Sequence, residues 1–195
     1  MLEEESIEKA VEGCAFVVHT ASPLPIKPPE DENTVIKPAV DGTLAVLRAA
    51  HKHMVKRVVI TSSTVTINMR LAPNFKDIYT EEDWSDIEGC YTAYDKSKVL
   101  AEKAAWDFHS SLTKEEQFEM TTLIPGLILG PGLVQGEFSS MNYIRMFLLG
   151  FMPAYPNVRT PLVDIRDLSL AHLQAVRAEN AGNKRIIMSN KAFHF

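Results

Sequence analysis

The run "KRVVITSS", residues 56–63, decides the fold. Val58, Val59 and Ile60 make a short apolar core that gives way abruptly to hydroxyl side chains. Such a run reads as a buried strand that delivers a polar loop at its carboxyl end. The same design occurs upstream in "AFVVHTAS", residues 15–22. Between the two lies "NTVIKPAVDGTLAVLRAAHKH", residues 33–53, where Ile36, Val40, Leu44 and Leu47 recur at helical spacing. Pro38 and Gly42 weaken that helix locally. Strand, helix, strand predicts a parallel sheet covered on both faces, an α/β fold.

The alternation extends in both directions. "EEESIEKAVEG", residues 3–13, sets Ile7 and Val11 four apart and closes on Gly13, as an amphipathic helix with a C-terminal glycine does. A long helix is expected from about Tyr91 to Ser110. "EMTTLIPGLILGPG", residues 119–132, predicts a strand ending at Pro125 and then a turn. "SSMNYIRMFLLG" reads as a short helix capped by Ser139 or Ser140. "RTPLVDIRDLSLAHLQAVRAEN" reads as a strand entering a helix, and "NKRIIMSN" as a final strand.

The chain has 195 residues, enough for one substantial core and few for two independent ones. A net charge of −5 argues against general nucleic-acid binding, which needs a basic face. The sequence opens on no basic leader and contains no long apolar run, so neither a signal peptide nor a membrane span is expected. Two cysteines, Cys14 and Cys90, cannot staple a chain this size, and a reducing cytoplasm is the expected location. No metal site is expected: His51 and His53 are two apart and diverge on a helix. His19 at a strand end and His172 on an apolar helix face read as packing residues. No Gly-x-Ser-x-Gly turn is present to present a hydrolase serine.

In parallel α/β sheets, ligands bind beyond the carboxyl ends of the strands. The "TAS", "TSS" and "PGL" loops would gather there, together with the helix that begins in "YTAYDKSK", residues 91–98. Tyr94 and Lys98 are four apart and share a helix face; Tyr91 has Asp95 at that offset, and Lys96 is only two beyond Tyr94. With Ser63 they make a carbonyl-reducing set. The phenol would protonate the carbonyl oxygen, the hydroxyl would hold it, and the ammonium is expected to lower the phenol's pKa. A competing reading has Thr20, Ser22 and Ser63 merely satisfying backbone groups at strand ends. Asp164, Arg166 and Asp167 read as a structural ion-pair cluster or helix start.

"VVHTASP", "GTLAVLRAA", "KRVVITSS", "YDKSKVLAEKAAW", "TLIPGLILGPG" and "PLVDIRDLSLAH" follow one another in the order and approximate spacing of the extended short-chain dehydrogenase/reductases. The chain resembles the branch containing dihydroflavonol reductase and cinnamoyl-CoA reductase. The resemblance implies Ser63, Tyr94 and Lys98 as the catalytic triad. It implies Thr20, Ala21, Ser22, Tyr94, Lys98, Pro125, Gly126, Leu127, Ile128 and Ser140 as contacts to NADP(H), and a small-molecule carbonyl as substrate. The implied architecture is a partial doubly wound, Rossmann-type parallel sheet lacking its first strands, with part of a small substrate-binding region. Residues 1–130 would form an incomplete dinucleotide-binding domain carrying the catalytic groups. Residues 131–195 would form a mixed region with part of the substrate lobe and returning elements.

Two departures qualify this. The nine glycines never take the Gly-x-x-Gly-x-x-Gly spacing that seats a pyrophosphate on a helix N-terminus. The first three strands of the family are therefore expected to lie outside this sequence, along with the basic residue that selects NADPH. A chain without them is expected to bind dinucleotide poorly and to aggregate. Ala45 also stands where relatives usually carry asparagine. The expected function of the intact protein is NADPH-dependent reduction of an aldehyde or ketone to an alcohol. Alternatives on the same fold are a nucleotide-sugar epimerase or dehydratase and a hydroxysteroid dehydrogenase. A further alternative is a non-catalytic dinucleotide-fold fragment that binds proteins. Met69, Met141, Met146, Phe147, Phe151 and Met152 are candidate pocket residues, with core packing as the competing reading.

Overall fold

The computed structural model describes residues 3–25, 27–134, 139–151, 159–190 and 192–194. A four-stranded parallel sheet lies at its centre, in the order β1 (Phe16–His19), β2 (Arg57–Thr61), β3 (Glu119–Pro125), β6 (Lys184–Met188). Parallel strands require crossovers, and helices supply them: α2 (Asn33–Lys52) joins β1 to β2, and α4 (Ala93–Ser111) lies between β2 and β3. These two helices pack on one another, and α1 (Glu4–Val11) packs beside α2. Helix α6 (Ile165–Arg177) approaches β2 and β3, and its Ala175 packs against Val59 and Leu123.

Alternation along β2 divides its side chains between two layers. Val58 and Ile60 join Leu47, Ala50, Ala105 and Met120 in the core under α2 and α4. Val59 points the other way, with Leu123, toward Ala175 on α6. A strand buried on both faces is continuously apolar, which is why "RVVI" gives no amphipathic signal of its own.

Helix α2 runs unbroken through Pro38. Gly13 follows α1 at φ +74°, the left-handed conformation that glycine adopts without a Cβ penalty. The long helix starts at Ala93 rather than Tyr91. Thr92 accepts from the Asp95 N–H, and the Asp95 carboxylate accepts in return from the Thr92 N–H, a reciprocal cap.

Beyond Pro125 the expected turn is instead a second small sheet of β4 (Leu127–Leu129), β5 (Arg159–Asp164) and β7 (Ala192–His194), in that order. β4 and β5 run parallel, β5 and β7 antiparallel. Gly126 makes the junction: a Cβ there would sit 2.3 Å from the Pro161 carbonyl oxygen, so only glycine lets β5 approach so closely. Helix α5 spans Ser139–Leu148, which puts Ser140 in its first turn rather than at the cap. At β5, Asp164 caps α6 by accepting from the Arg166 N–H and pairs with the Arg166 guanidinium at 2.6 Å, the helix start read from "VDIRD".

Candidate active site

The carboxyl ends of β2 and β3 are joined beyond their last paired residues. The Ser62 N–H donates to the Leu123 carbonyl at 2.7 Å, and the Thr64 N–H donates to the Pro125 carbonyl at 3.0 Å. Ser63 is thereby held between two fixed backbone groups at the mouth of a cleft of about 780 Å³. α3 (Val65–Asn68) follows at once and forms part of the wall, where Asn68 and Met69 line the cleft.

Helix α4 contributes Tyr94 and Lys98, and both line the same cleft. Tyr91 is 76% exposed, and Lys96 bonds Glu32 at 2.8 Å, so the four-residue spacing does separate the two tyrosines and two lysines. The Lys98 ammonium donates to the Thr61 carbonyl at 3.0 Å and lies 6.0 Å from the centroid of the Tyr94 ring. The Ser63 hydroxyl is close enough to the Tyr94 phenol to favour its ionised form.

The electrostatics correct one expectation. Burial, then the neighbouring Asp95 carboxylate, pushes the Tyr94 phenol above its usual value, and the Ser63 hydrogen bond opposes them only in part. Lys98 does not acidify it. Burial pulls Lys98 itself down to about 8. The phenol is therefore a neutral proton carrier at neutral pH. Beside a hydroxyl and an ammonium, it can pass a proton to an oxygen that is gaining negative charge.

Other residues singled out from the sequence gather here. Thr20, Ser22, Pro125, Gly126, Leu127, Ile128 and Ser140 all line the cleft. Ala21 lines a small adjoining cavity with Ser22, Thr61 and Lys98, and also an apolar groove between α1, β1 and α2. Of the candidate pocket residues, Met69 lines the cleft and Phe147 is buried against Tyr143. Met141, Met146 and Phe151 are exposed, and Met152 lies outside the described residues. His19 is buried, with its Nε2 3.4 Å from the Thr43 hydroxyl, and burial pushes it down to about 4, which keeps the ring neutral.

His172 is more engaged than a packing residue. Its Nδ1 faces the Leu168 carbonyl at 2.8 Å, and a carbonyl only accepts, so Nδ1 carries the proton. Nε2 lies 2.7 Å from the Thr61 hydroxyl and bonds it. Thr61 thus holds Lys98 with its carbonyl and His172 with its side chain. Sequence reasoning missed Thr61, Asn68, Tyr143 and the stretch Arg159–Pro161, all on the cleft wall. The available signal for Thr61 was its place at the end of a hydroxyl-terminated strand. Arg159–Pro161 arrives only through β4–β5 pairing, which three residues cannot announce.

Known proteins agree with this arrangement. The sequence pattern of the 3-beta hydroxysteroid dehydrogenase/isomerase family matches residues 1–195. The chain is 34% identical to cinnamoyl-CoA reductase 2 of Arabidopsis thaliana, over 100% of this chain and 57% of that protein. It is 32% identical to the bifunctional dihydroflavonol 4-reductase/flavanone 4-reductase of Pyrus communis, over 98% of this chain and 56% of that one. The yeast methylglyoxal/isovaleraldehyde reductase Gre2, solved with NADPH, superposes with a TM-score of 0.83 at 28% identity, covering 98% of this chain and 60% of its own. The chain thus spans somewhat under two thirds of the relatives it matches. The family match over the whole chain settles its membership: this chain belongs to the 3-beta hydroxysteroid dehydrogenase/isomerase family, within the extended short-chain dehydrogenase/reductases.

Proposed function

We propose that the intact protein reduces an aldehyde or ketone to an alcohol with NADPH, in the cytoplasm. The observation that carries this reading is the convergence of Ser63, Tyr94 and Lys98 on one cleft at the carboxyl ends of β2 and β3. The curated relatives named above are reductases, which favours this reading over an epimerase, a dehydratase, a hydroxysteroid dehydrogenase or a protein-binding remnant.

The residues fit the nicotinamide half of the cofactor. One Lys98 donor goes to the Thr61 carbonyl, and an ammonium has two more for the ribose hydroxyls. Thr20, Ser22, Pro125–Ile128 and Ser140 would line its path. Among the described residues no glycine turn offers a pyrophosphate seat. The chemistry supplied by bound NADPH is hydride delivery to the carbonyl carbon. Tyr94 gives its phenolic proton to the carbonyl oxygen, and Ser63 holds that oxygen and shares its charge. Lys98 would hold the ribose. Residues 1–130 would carry this machinery, and part of 131–195 would shape the substrate side, the rest returning to the central sheet as α6 and β6.

In the full-length protein, Tyr94→Phe is expected to lower turnover by a factor of about 10²–10⁴ while cofactor still binds. Loss of NADPH absorbance with a panel of aldehydes and ketones measures the first, and fluorescence titration of NADPH the second. Retained turnover removes Tyr94 as the acid.

A further inference from the structure

Glu102 takes no part in the steps above, yet it is only 3% exposed. A buried carboxylate costs several kcal/mol unless it is paired and hydrogen-bonded. This one is fully engaged. Oε2 accepts from the Ser62 hydroxyl; Oε1 accepts from the Thr122 hydroxyl at 3.0 Å and from Arg185 Nε at 2.8 Å. Strand register explains the convergence. Thr122 and Arg185 are partners across β3 and β6, and Ser62 continues β2 on the same face. Three strands therefore aim a side chain at one point on α4. Arg185 is fixed from behind: its guanidinium stacks 3.7 Å over the Trp84 ring and donates to the carbonyls of Glu81 and Asp83 at 2.6 Å each.

Lys98 lies one turn before Glu102 on the same helix face. Both line one small cavity. We propose that Glu102, locked by Ser62, Thr122 and Arg185, is a positioning residue whose fixed negative charge keeps Lys98 an ammonium. This rests on the reading of Lys98 as the group that meets the ribose. A rigid anion behind the cation opposes the burial that would otherwise discharge it: burial pulls the Lys98 ammonium down, and the Glu102 carboxylate pushes it back up. The other titratable groups facing Lys98 among the described residues are Tyr94 and His19. Both are neutral at neutral pH, so neither supplies a counter-charge. A clasp that served folding alone would leave Lys98's affinity for a proton untouched.

Amine acylation of the folded chain across a pH series, read peptide by peptide in a mass spectrometer, gives the titration midpoint of Lys98; exposed Lys37 is the internal reference. Glu102→Gln is expected to move the Lys98 midpoint down by about one unit or more, with Lys37 unmoved. A Glu102→Gln protein that keeps its far-ultraviolet circular dichroism and an unshifted Lys98 overturns the proposal. The reciprocal arm uses Lys98→Met, with the Glu102 carboxyl followed by ¹³C NMR. Linkage requires its titration to rise by the same amount, and an unmoved carboxyl overturns the proposal equally, whether or not Glu102→Gln folds. Both arms are read without NADPH or substrate, so they remain decisive if the reductase reading fails at Tyr94→Phe.

Discussion

The two walls of the cleft are built on opposite terms. The wall made by β2, β3 and α4 buries its polar atoms and pairs them: Ser62, Thr122 and Lys98 are each buried and hydrogen-bonded. The wall made by α5 and the small sheet meets the cleft with Leu127, Ile128, Ser140, Tyr143 and Arg159–Pro161, and outside the cleft the end of α5 leaves apolar side chains uncovered; Leu148 is 83% exposed and Phe151 68%. The first wall fixes atoms to within a hydrogen bond, as proton transfer demands. The second is less tightly packed and mixes polar with apolar side chains. On the proposed reading, the chemistry belongs to the first side of the cleft and the choice of substrate to the second.

This contrast makes graded predictions. Arg185→Met leaves Glu102 buried without its cation and should cost about 3–5 kcal/mol of stability, read from the urea midpoint. A cost below 1 kcal/mol would mean the first wall does not depend on its buried charges. The acid limb is next. His19 titrates at about 4 folded against 6.5 unfolded, so the unfolded chain takes up the proton first. Its contribution is complete above pH 6.5 and is lost as pH falls toward 4, on the order of 3 kcal/mol. Melting temperatures across that range should fall for the native chain and flatten for His19→Gln. The smallest effect belongs to the second wall: Leu148→Gln should change stability by no more than about 0.5 kcal/mol. A larger loss would show that this surface is packed after all and would erase the contrast.

The first wall was largely legible in the sequence because its signals are local. An apolar run ending in hydroxyls fixed the position of Ser63, and the four-residue spacing selected Tyr94 with Lys98 over Tyr91 with Lys96. What escaped notice is non-local. Glu102 in "LAEKAA" looks like a solvated helix face, and only the pairing of β3 with β6 brings Arg185 to it. The acidification expected for Tyr94 failed for a related reason: spacing puts the ammonium on the right face but cannot reveal how deeply the phenol is buried or that Asp95 opposes it. β4 was hidden because three residues after Pro-Gly resemble a turn until Gly126 is seen to admit β5.

The alternation along β2 constrains how this protein can change. Ser62 serves the α4 layer while Thr61 serves α6, so parity assigns each residue its task. Inserting or deleting one residue between Arg57 and Ser63 would invert that assignment, turning the clasp outward and the histidine's partner inward. Length variation is therefore barred from this strand.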